Sequence, residues 1–320
     1  MVMTETPIYE FYSSVKEKEI KWLWFPYIPY GKITILQGDP GEGKSTFVLN
    51  LIARITTGGE MPDGSGNFPK SSVIYQCAED SNEDTVKPRL LNAGADCSRV
   101  AFIKDDENAL TLSDSRIEET IKETGAKLVV LDPIQAFVPQ EGDMKNAQVM
   151  RSIMRKLAGI AEKYDAAIII VGHLNKAFSG KNIYRGLGSI DIAAIARSIL
   201  MISRDEEVPQ IRYMYQIKSN LAPEGSGIGF IFDLDKGFRW LGKCDVHFSD
   251  DEGRVPISKR DEAKRVLKSL LIVGDIKSKE AYSKLKGLSI SERTVRTAIK
   301  EMKIKAYRKN GEWYLTLKKT

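Results

Sequence analysis

Residues 38–45 read GDPGEGKS, which fits the phosphate-binding loop pattern G-x-x-x-x-G-K-[ST]. The glycines let backbone N–H groups point inward around a phosphate, and the N-terminus of a following helix adds partial positive charge. We expect Lys44 to reach the β- and γ-phosphates and Ser45 to bind Mg²⁺. The motif predicts binding of a nucleoside triphosphate; an ordinary glycine turn is the alternative. The predicted nucleotide-binding residues are Gly38, Asp39, Pro40, Gly41, Glu42, Gly43, Lys44, Ser45 and Thr46.

Two carboxylates follow apolar segments that read as strands. Asp132 ends one such segment and is expected to hold Mg²⁺ through water, with a turn cap as the alternative. Glu79 follows the apolar run 72–77, and Asp80 and Glu83 lie close behind it. A hydrolase needs a carboxylate to orient or deprotonate the attacking water. Because no acid directly follows Asp132, we expect Glu79 to take that role.

Two further residues could act on the phosphates. His173 ends the apolar strand 166–171 and should share a sheet edge with Asp132, where it could sense the γ-phosphate; a structural histidine is the alternative. Arg197 ends the otherwise apolar run 192–197, where a charge is costly without a partner. That partner is either a neighbouring subunit's nucleotide or an internal salt bridge.

The segment 174–189 is short of apolar residues and carries Lys176, Lys181 and Arg185 among glycines. It is predicted to be a mobile loop. Its cations could contact a nucleic-acid backbone, or they could simply be solvated.

The order of the elements indicates the fold class. Wholly apolar strands alternate with helices, a pattern typical of a parallel sheet covered on both faces. Later strands at 198–203, 212–218 and 227–233 follow one another closely and predict an antiparallel extension of that sheet. The expected fold is therefore α/β, with a P-loop motif between the first core strand and its helix.

Composition indicates the class of protein and the cellular compartment. The chain has 320 residues, of which 42% are hydrophobic and 28% charged, as in ordinary globular proteins. No apolar run approaches the roughly 20 residues needed to span a membrane. The N-terminus is too polar for a signal peptide, and Cys77, Cys97 and Cys244 have no paired spacing. We expect a cytoplasmic protein with no membrane partner.

The C-terminal part differs in charge. Residues 257–320 hold 18 Lys+Arg and 7 Asp+Glu, a net of +11, whereas the rest has 30 minus 36, or −6. Three helical patterns precede two short strands around Asn310-Gly311, a strong hairpin signal. These elements predict a winged helix-turn-helix that binds DNA, with a protein-binding winged helix as the alternative. Its candidate DNA contacts are Arg293, Arg296, Lys300, Arg308 and Lys309.

The predicted organisation has four parts. A polar N-terminal lead covers 1–21, a nucleoside-triphosphate-binding domain 22–242, a linker 243–258 and the winged helix 259–320.

The motifs together resemble those of RecA-superfamily ATPases. The order GDPGEGKS, CAED, LVVLDPIQAF, VGHLNK, YRGLGS, ARS and IKSN is most similar to RepA-like hexameric helicases of plasmids and phages, relatives of DnaB-type replicative helicases. The resemblance covers roughly 22–242 and, more loosely, the C-terminal winged helix. It implies a RecA-like core, ATP as the nucleotide and a ring, usually of six subunits, with ATP between neighbours. It also places the 174–189 loop near a channel for single-stranded DNA.

The resemblance also implies roles for single residues. Lys218 matches the lysine of a K-x-R pair that contacts nucleotide, but Asn220 stands where the arginine would be. Arg197, or else Arg185, is left to serve as the arginine finger. The catalytic set implied by the resemblance is Lys44, Glu79 as base, Asp132, His173 as γ-phosphate sensor and Arg197.

These observations predict an ATP-dependent DNA motor, a hexameric helicase that translocates on single-stranded DNA. Two alternatives share the ATP residues: a DNA-binding ATPase without unwinding activity, such as a recombinase-like filament or a replication-initiation accessory, and a nucleotide-gated DNA-binding regulator. A primase or initiator protein is a further expected partner of a replicative motor.

Overall fold

The computed structural model describes residues 9–105, 107–138, 147–173, 190–205, 208–233, 237–244 and 259–317. These residues form a nine-stranded sheet with helices on both faces, a two-stranded hairpin and a smaller three-stranded sheet. The strands are β1 (Trp22–Trp24), β2 (Ile28–Pro29), β3 (Ile33–Gly38), β4 (Val73–Cys77), β5 (Val100–Ala101), β6 (Leu128–Asp132), β7 (Ala167–His173), β8 (Ser198–Arg204), β9 (Ile211–Ser219), β10 (Gly227–Asp233), β11 (Gly237–Cys244), β12 (Ile276–Lys277), β13 (Lys305–Lys309) and β14 (Glu312–Thr316). The helices are α1 (Lys44–Thr57), α2 (Lys87–Ala93), α3 (Ser115–Thr124), α4 (Ala147–Tyr164), α5 (Ile190–Ile195), α6 (Lys259–Val273), α7 (Ser278–Gly287) and α8 (Glu292–Glu301).

The large sheet has the order β11-β10-β9-β8-β3-β7-β6-β4-β5. Strands β3 to β8 pair in parallel, and β3 and β6 are buried along their whole length. Strands β8 to β11 pair antiparallel, as the closely spaced late strands predicted. The mixed α/β fold with a mostly parallel sheet is thereby confirmed.

Each face of the sheet has its own apolar core. One core packs β3, β6 and β7 against α3, α4 and α5. The other packs the opposite face against α1, α2 and the aromatic hairpin β1–β2. Trp24 and Tyr27 of that hairpin are buried, with ring centroids 4.6 Å apart, and Phe47 of α1 lies next to them. Trp24 and Tyr27 therefore belong to the core, whereas Phe25, between them in sequence, is exposed.

The C-terminal residues form a separate apolar cluster against the edge of the large sheet. The core of α6, α7 and α8 includes Val208, Ile211 and Ile231 from the region of β9 and β10. The hairpin β13–β14 turns at Asn310-Gly311, whose φ angles of 48° and 83° are both positive, as its two-residue turn requires. Three helices and a hairpin thus occur where they were predicted, and the assignment to the winged-helix class stays a prediction.

Some local features were not predicted from the sequence. Asp114 caps α3, because its carboxylate accepts the backbone N–H of Arg116. A wider turn at Asn82–Val86 precedes α2. The strand β11, which ends at Cys244, was missed. Across the described ranges, no helix combines the length and apolarity needed to cross a membrane.

Candidate functional site

Parallel pairing brings the predicted ATP residues to one edge of the sheet. In the strand registers Gly38 lies beside His173, and Cys77 lies beside Asp132. Since β3, β7, β6 and β4 are successive neighbours, their carboxyl ends form one continuous edge. Ligands of open α/β sheets bind outside this edge, so the topology places the phosphate loop and three predicted polar residues around one site.

The phosphate loop depends on glycine at specific points. Gly41 and Gly43 have φ angles of 79° and 88°, which side-chain-bearing residues rarely adopt. A Cβ atom on Gly38 would lie 2.5 Å from the backbone oxygen of Ile202. The backbone of β8 therefore approaches the start of the loop too closely for any residue other than glycine. Helix α1 then begins at Lys44, and the N-terminus of this 14-residue helix faces the loop.

Lys44 is buried within the loop. Its Nζ donates to the backbone oxygens of Gly38 at 2.8 Å and Asp39 at 2.9 Å. Burial lowers the pKa of Lys44, and the nearby Asp132 opposes that shift. A buried ammonium held by two carbonyl groups lies ready to exchange them for phosphate oxygens, which fits a nucleotide polyphosphate.

Asp132 is almost fully buried beside the loop. Tyr75 donates its hydroxyl to Asp132 Oδ2 at 3.2 Å. Burial raises the pKa of Asp132, although the hydroxyls of Ser45 and Tyr75 oppose the shift. A hydroxyl and a carboxylate are hard oxygen donors, so the Ser45–Asp132 pair fits Mg²⁺.

Glu79 and His173 meet at the open side of the site. His173 Nε2 lies 3.8 Å from Glu79 Oε1, and their side chains are 34% and 63% exposed. His173 Nδ1 is buried and makes no hydrogen bond within the described residues. Both groups can therefore reach a ligand and water beyond the phosphate loop, as expected for a base and a phosphate sensor.

Arg197 and Lys218 lie at the opposite edge of the sheet, which is formed by the amino ends of the parallel strands. The backbone N–H of Arg197 donates to the oxygen of Ile33, the first residue of β3, and Lys218 pairs with Ile199 at the start of β8. The Lys218 Nζ donates to the backbone oxygens of Ala193 and Ala196. Neither residue is next to the phosphate loop of its own chain.

The expectation that Arg197 is desolvated was wrong. Its side chain is exposed, because the apolar run before it is a short helix that buries other positions. Within the described residues it makes no salt bridge. It lines a surface pocket of about 410 Å³ together with Lys32, Arg155 and Glu162.

The predicted DNA contacts of the C-terminal part are on its surface. Arg293, Arg296 and Lys300 are exposed on one face of α8 and line a shallow pocket of about 350 Å³. Arg308 and Lys309 are exposed in the hairpin. The predicted contacts Lys176, Lys181 and Arg185 lie outside the described residues.

Three site residues were missed by sequence reasoning. Tyr75 is interior to β4, and its contact with Asp132 follows only from the strand order. Arg204 and Arg212 come from the antiparallel strands β8 and β9 and contact the phosphate loop. The sequence signal that could have found them is their place at the ends of predicted strands, because the fold brings these strand ends to the loop.

Comparison with known proteins identifies the family of this site. A family model described as "AAA domain" matches residues 9–178, just over half of the chain. The DNA repair protein RadA of Halalkalibacterium halodurans is 30% identical over 149 residues, which are 46% of this chain and 28% of that protein. The DNA repair and recombination protein RadB of Methanobrevibacter smithii is 24% identical over 187 residues, 55% of this chain and 75% of that protein.

A RecA protein is also similar. That of Campylobacter hominis is 23% identical over 238 residues, 68% of this chain and 63% of that protein. The chain thus spans less than two thirds of the length of the RadA and RecA relatives and three quarters of RadB.

Proposed function

This chain belongs to the AAA domain family as a P-loop ATPase of the RecA superfamily, and from that premise we propose that it is an ATP-dependent DNA motor. In its finer form the proposal is a hexameric helicase of the RepA and DnaB type that translocates on single-stranded DNA. The observation that carries it is the division of the ATP residues between two opposite edges of one sheet.

Hydrolysis is assigned to the edge that holds the phosphate loop. Lys44 binds the β- and γ-phosphates, and Glu79 orients and deprotonates the attacking water. His173, next to Glu79, contacts the γ-phosphate and responds to its loss. Mg²⁺, when bound by Ser45 and Asp132, neutralises phosphate charge.

The opposite edge completes a neighbour's site. Arg197 is exposed and unpaired among the described residues, yet β3 separates it from its own phosphate loop. The partner that fits it is the nucleotide of an adjacent copy, so Arg197 is the arginine finger and Lys218 acts from the same edge. Sites shared in this head-to-tail way generate rings or filaments.

DNA is the proposed partner of the basic surfaces. The net charge of +11 over 257–320 supports a winged helix whose exposed α8 face contacts phosphates. Lys176, Lys181 and Arg185 are proposed to contact single-stranded DNA in the channel. The domain division at 22–242, 243–258 and 259–320 belongs to the same proposal, as does a primase or initiator partner.

The first test is ATP hydrolysis with and without single-stranded DNA, on protein whose mass in solution is measured in parallel. A ring-sized mass and a turnover that rises several-fold with DNA are expected. A monomer or dimer whose turnover ignores DNA would overturn the motor.

A second candidate is a recombinase-like ATPase that binds DNA without separating strands. The similarity to proteins named for DNA repair and recombination favours it. A forked duplex with one labelled strand distinguishes the two functions. ATP-dependent release of that strand supports the helicase, and DNA-stimulated hydrolysis without release supports the recombinase-like form.

A further inference from the structure

Arg212 is a buried arginine that has no carboxylate partner among the described residues. It is only 7% exposed, its Nε makes no hydrogen bond, and within the described residues it forms no salt bridge. Its Nη1 donates to the backbone oxygens of Gln210 and Phe232, both at 3.3 Å, and its guanidinium carbon lies 5.3 Å from the centre of the Phe232 ring. The charge of Glu42 compensates the buried guanidinium in part. Burying a charge with so little compensation is unfavourable, so this position favours a further anion nearby.

The Arg212 side chain lies directly against the phosphate loop. A Cβ atom built on Gly43 would be 3.1 Å from Arg212 Cδ and 3.2 Å from its Nε. The Nε that lacks a hydrogen bond therefore packs against Gly43, the last residue before Lys44. Any side chain at position 43 would displace this arginine as well as strain the backbone.

Arg204 is the second cation on this wall of the loop. It is the direct cross-strand partner of Arg212, and its Nη2 donates to the Gly41 oxygen at 2.8 Å. Like charges that face each other across antiparallel strands repel. Among the residues that the structure describes, Glu42 offsets them, with its carboxylate 3.7 Å from Arg204 Nε. Burial first, and then this repulsion, lowers the pKa of Arg212.

We propose that Arg204 and Arg212 are positioning residues that support the outer wall of the phosphate loop and attract the polyphosphate of a nucleotide bound to the same chain. This inference rests on the proposed nucleotide binding. It assigns two cations to the chain that holds the nucleotide, in contrast to Arg197, which acts on a neighbour. The bound polyphosphate supplies the negative charge that the pair lacks.

The test compares Arg212→Met and Arg204→Met with Arg239→Met, a control whose arginine lies on β11 and donates to the oxygen of Ile272. Affinities for ADP, AMP and adenosine are measured by calorimetry, and melting temperatures are measured without nucleotide. For the loop variants we expect ADP affinity to fall about tenfold or more, AMP affinity to fall less and adenosine affinity to stay unchanged. The Arg239 control should bind all three as the unchanged chain does.

Melting behaviour separates this role from a structural one. Because Arg212→Met removes an unpaired buried charge and keeps an unbranched side chain, its melting temperature without nucleotide should equal or exceed that of the unchanged chain. Arg212→Lys, which keeps the charge, should recover most of the ADP affinity. Loss of ADP affinity only together with a lowered melting temperature would overturn the inference in favour of a packing role.

The outcomes for the two proposals are distinct. If the unchanged chain binds ADP and both methionine variants bind it equally well, only the present inference is overturned. If the unchanged chain fails to bind ADP at all, the proposal of nucleotide binding is refuted, and the present inference is refuted with it.

Discussion

Arg197 offers the sharpest test of a shared ATP site. Because its backbone contacts Ile33 at the start of β3, the six-residue strand separates it from the phosphate loop. That strand is about 17 Å long at roughly 3.3 Å per residue, farther than an arginine side chain extends. Arg197→Ala should therefore lower hydrolysis in the assembled protein without weakening ATP binding by its own chain.

The size of the effect follows from the chemistry assigned to the residue. An arginine finger contributes a factor of about 10³ or more to turnover because it stabilises charge in the transition state. Lys44→Ala should be inactive for a different reason, since it loses the ammonium that now donates to the two loop carbonyl groups. Each variant alone is expected to be nearly inactive.

Mixing the two variants makes the prediction quantitative. In a mixed assembly, an Arg197→Ala chain still supplies an intact phosphate loop, and a Lys44→Ala chain still supplies an intact Arg197. Where these two surfaces meet, the ATP site is complete. In assemblies formed from equal amounts of both variants, about one interface in four has this composition if subunits mix at random. Mixed samples should then regain roughly a quarter of the original turnover if interfaces act independently.

The assay is steady-state ATP hydrolysis over a series of mixing ratios, with assembly mass measured on the same samples. Mixing either variant with the control Arg239→Ala should give activity in proportion to the intact interfaces. Full turnover by Arg197→Ala alone would refute the assignment of Arg197 to a neighbour's ATP site. Mixtures that form assemblies of normal mass but stay inactive at every ratio would refute it as well.

Three other predictions concern the metal site and the DNA surface. Tyr75→Phe removes a hydrogen bond to the buried carboxylate of Asp132, so the Mg²⁺ concentration for half-maximal hydrolysis should rise about tenfold; an unchanged Mg²⁺ titration would contradict this role. Because burial raises the pKa of Asp132, its charged form costs stability as pH rises above the unfolded value of about 3.9. Asp132→Asn should therefore raise the nucleotide-free melting temperature at pH 8, with a difference that shrinks towards pH 4, and should abolish hydrolysis; calorimetry that finds a lower melting temperature at pH 8 would contradict the sign. Arg296→Ala and Lys300→Ala should each reduce the slope of log affinity against log salt by about 0.7–0.9 if each contacts one phosphate, as measured by anisotropy with labelled DNA; an unchanged slope would remove these residues from the contact surface.

The ATP edge was predictable because its determinants are local. A glycine loop between a strand and a helix has a fixed geometry, and Asp132 and His173 follow apolar strands whose carboxyl ends must coincide in a parallel sheet. The close approach of Glu79 and His173 follows from the same logic, although the 3.8 Å distance does not. The alternation of strands and helices along the chain required only hydrophobic patterning, whereas the order of the strands within the sheet was not predicted.

The residues that escaped prediction depend on antiparallel pairing. Whether Arg204 faces Arg212 is decided by the register of β8 and β9, which contains an irregularity between Ile199 and Leu200. A shift of β9 by one residue would turn Arg212 to the other face of the sheet, away from Arg204, and no local motif fixes that register. Arg197 shows the reverse error, because an apolar neighbourhood in sequence suggested burial, whereas the fold exposes it.

Strand β8 connects the three regions on which these arguments depend. It begins beside Arg197 at the edge assigned to a neighbouring copy and ends at Arg204 on the phosphate loop. The next residue, Asp205, accepts hydrogen bonds from Tyr213 at 3.0 Å and from Arg265 of α6 at 3.4 Å. Since a buried strand in the middle of a sheet cannot bend independently of its neighbours, these contacts tie the nucleotide loop to both the opposite edge and the C-terminal helices.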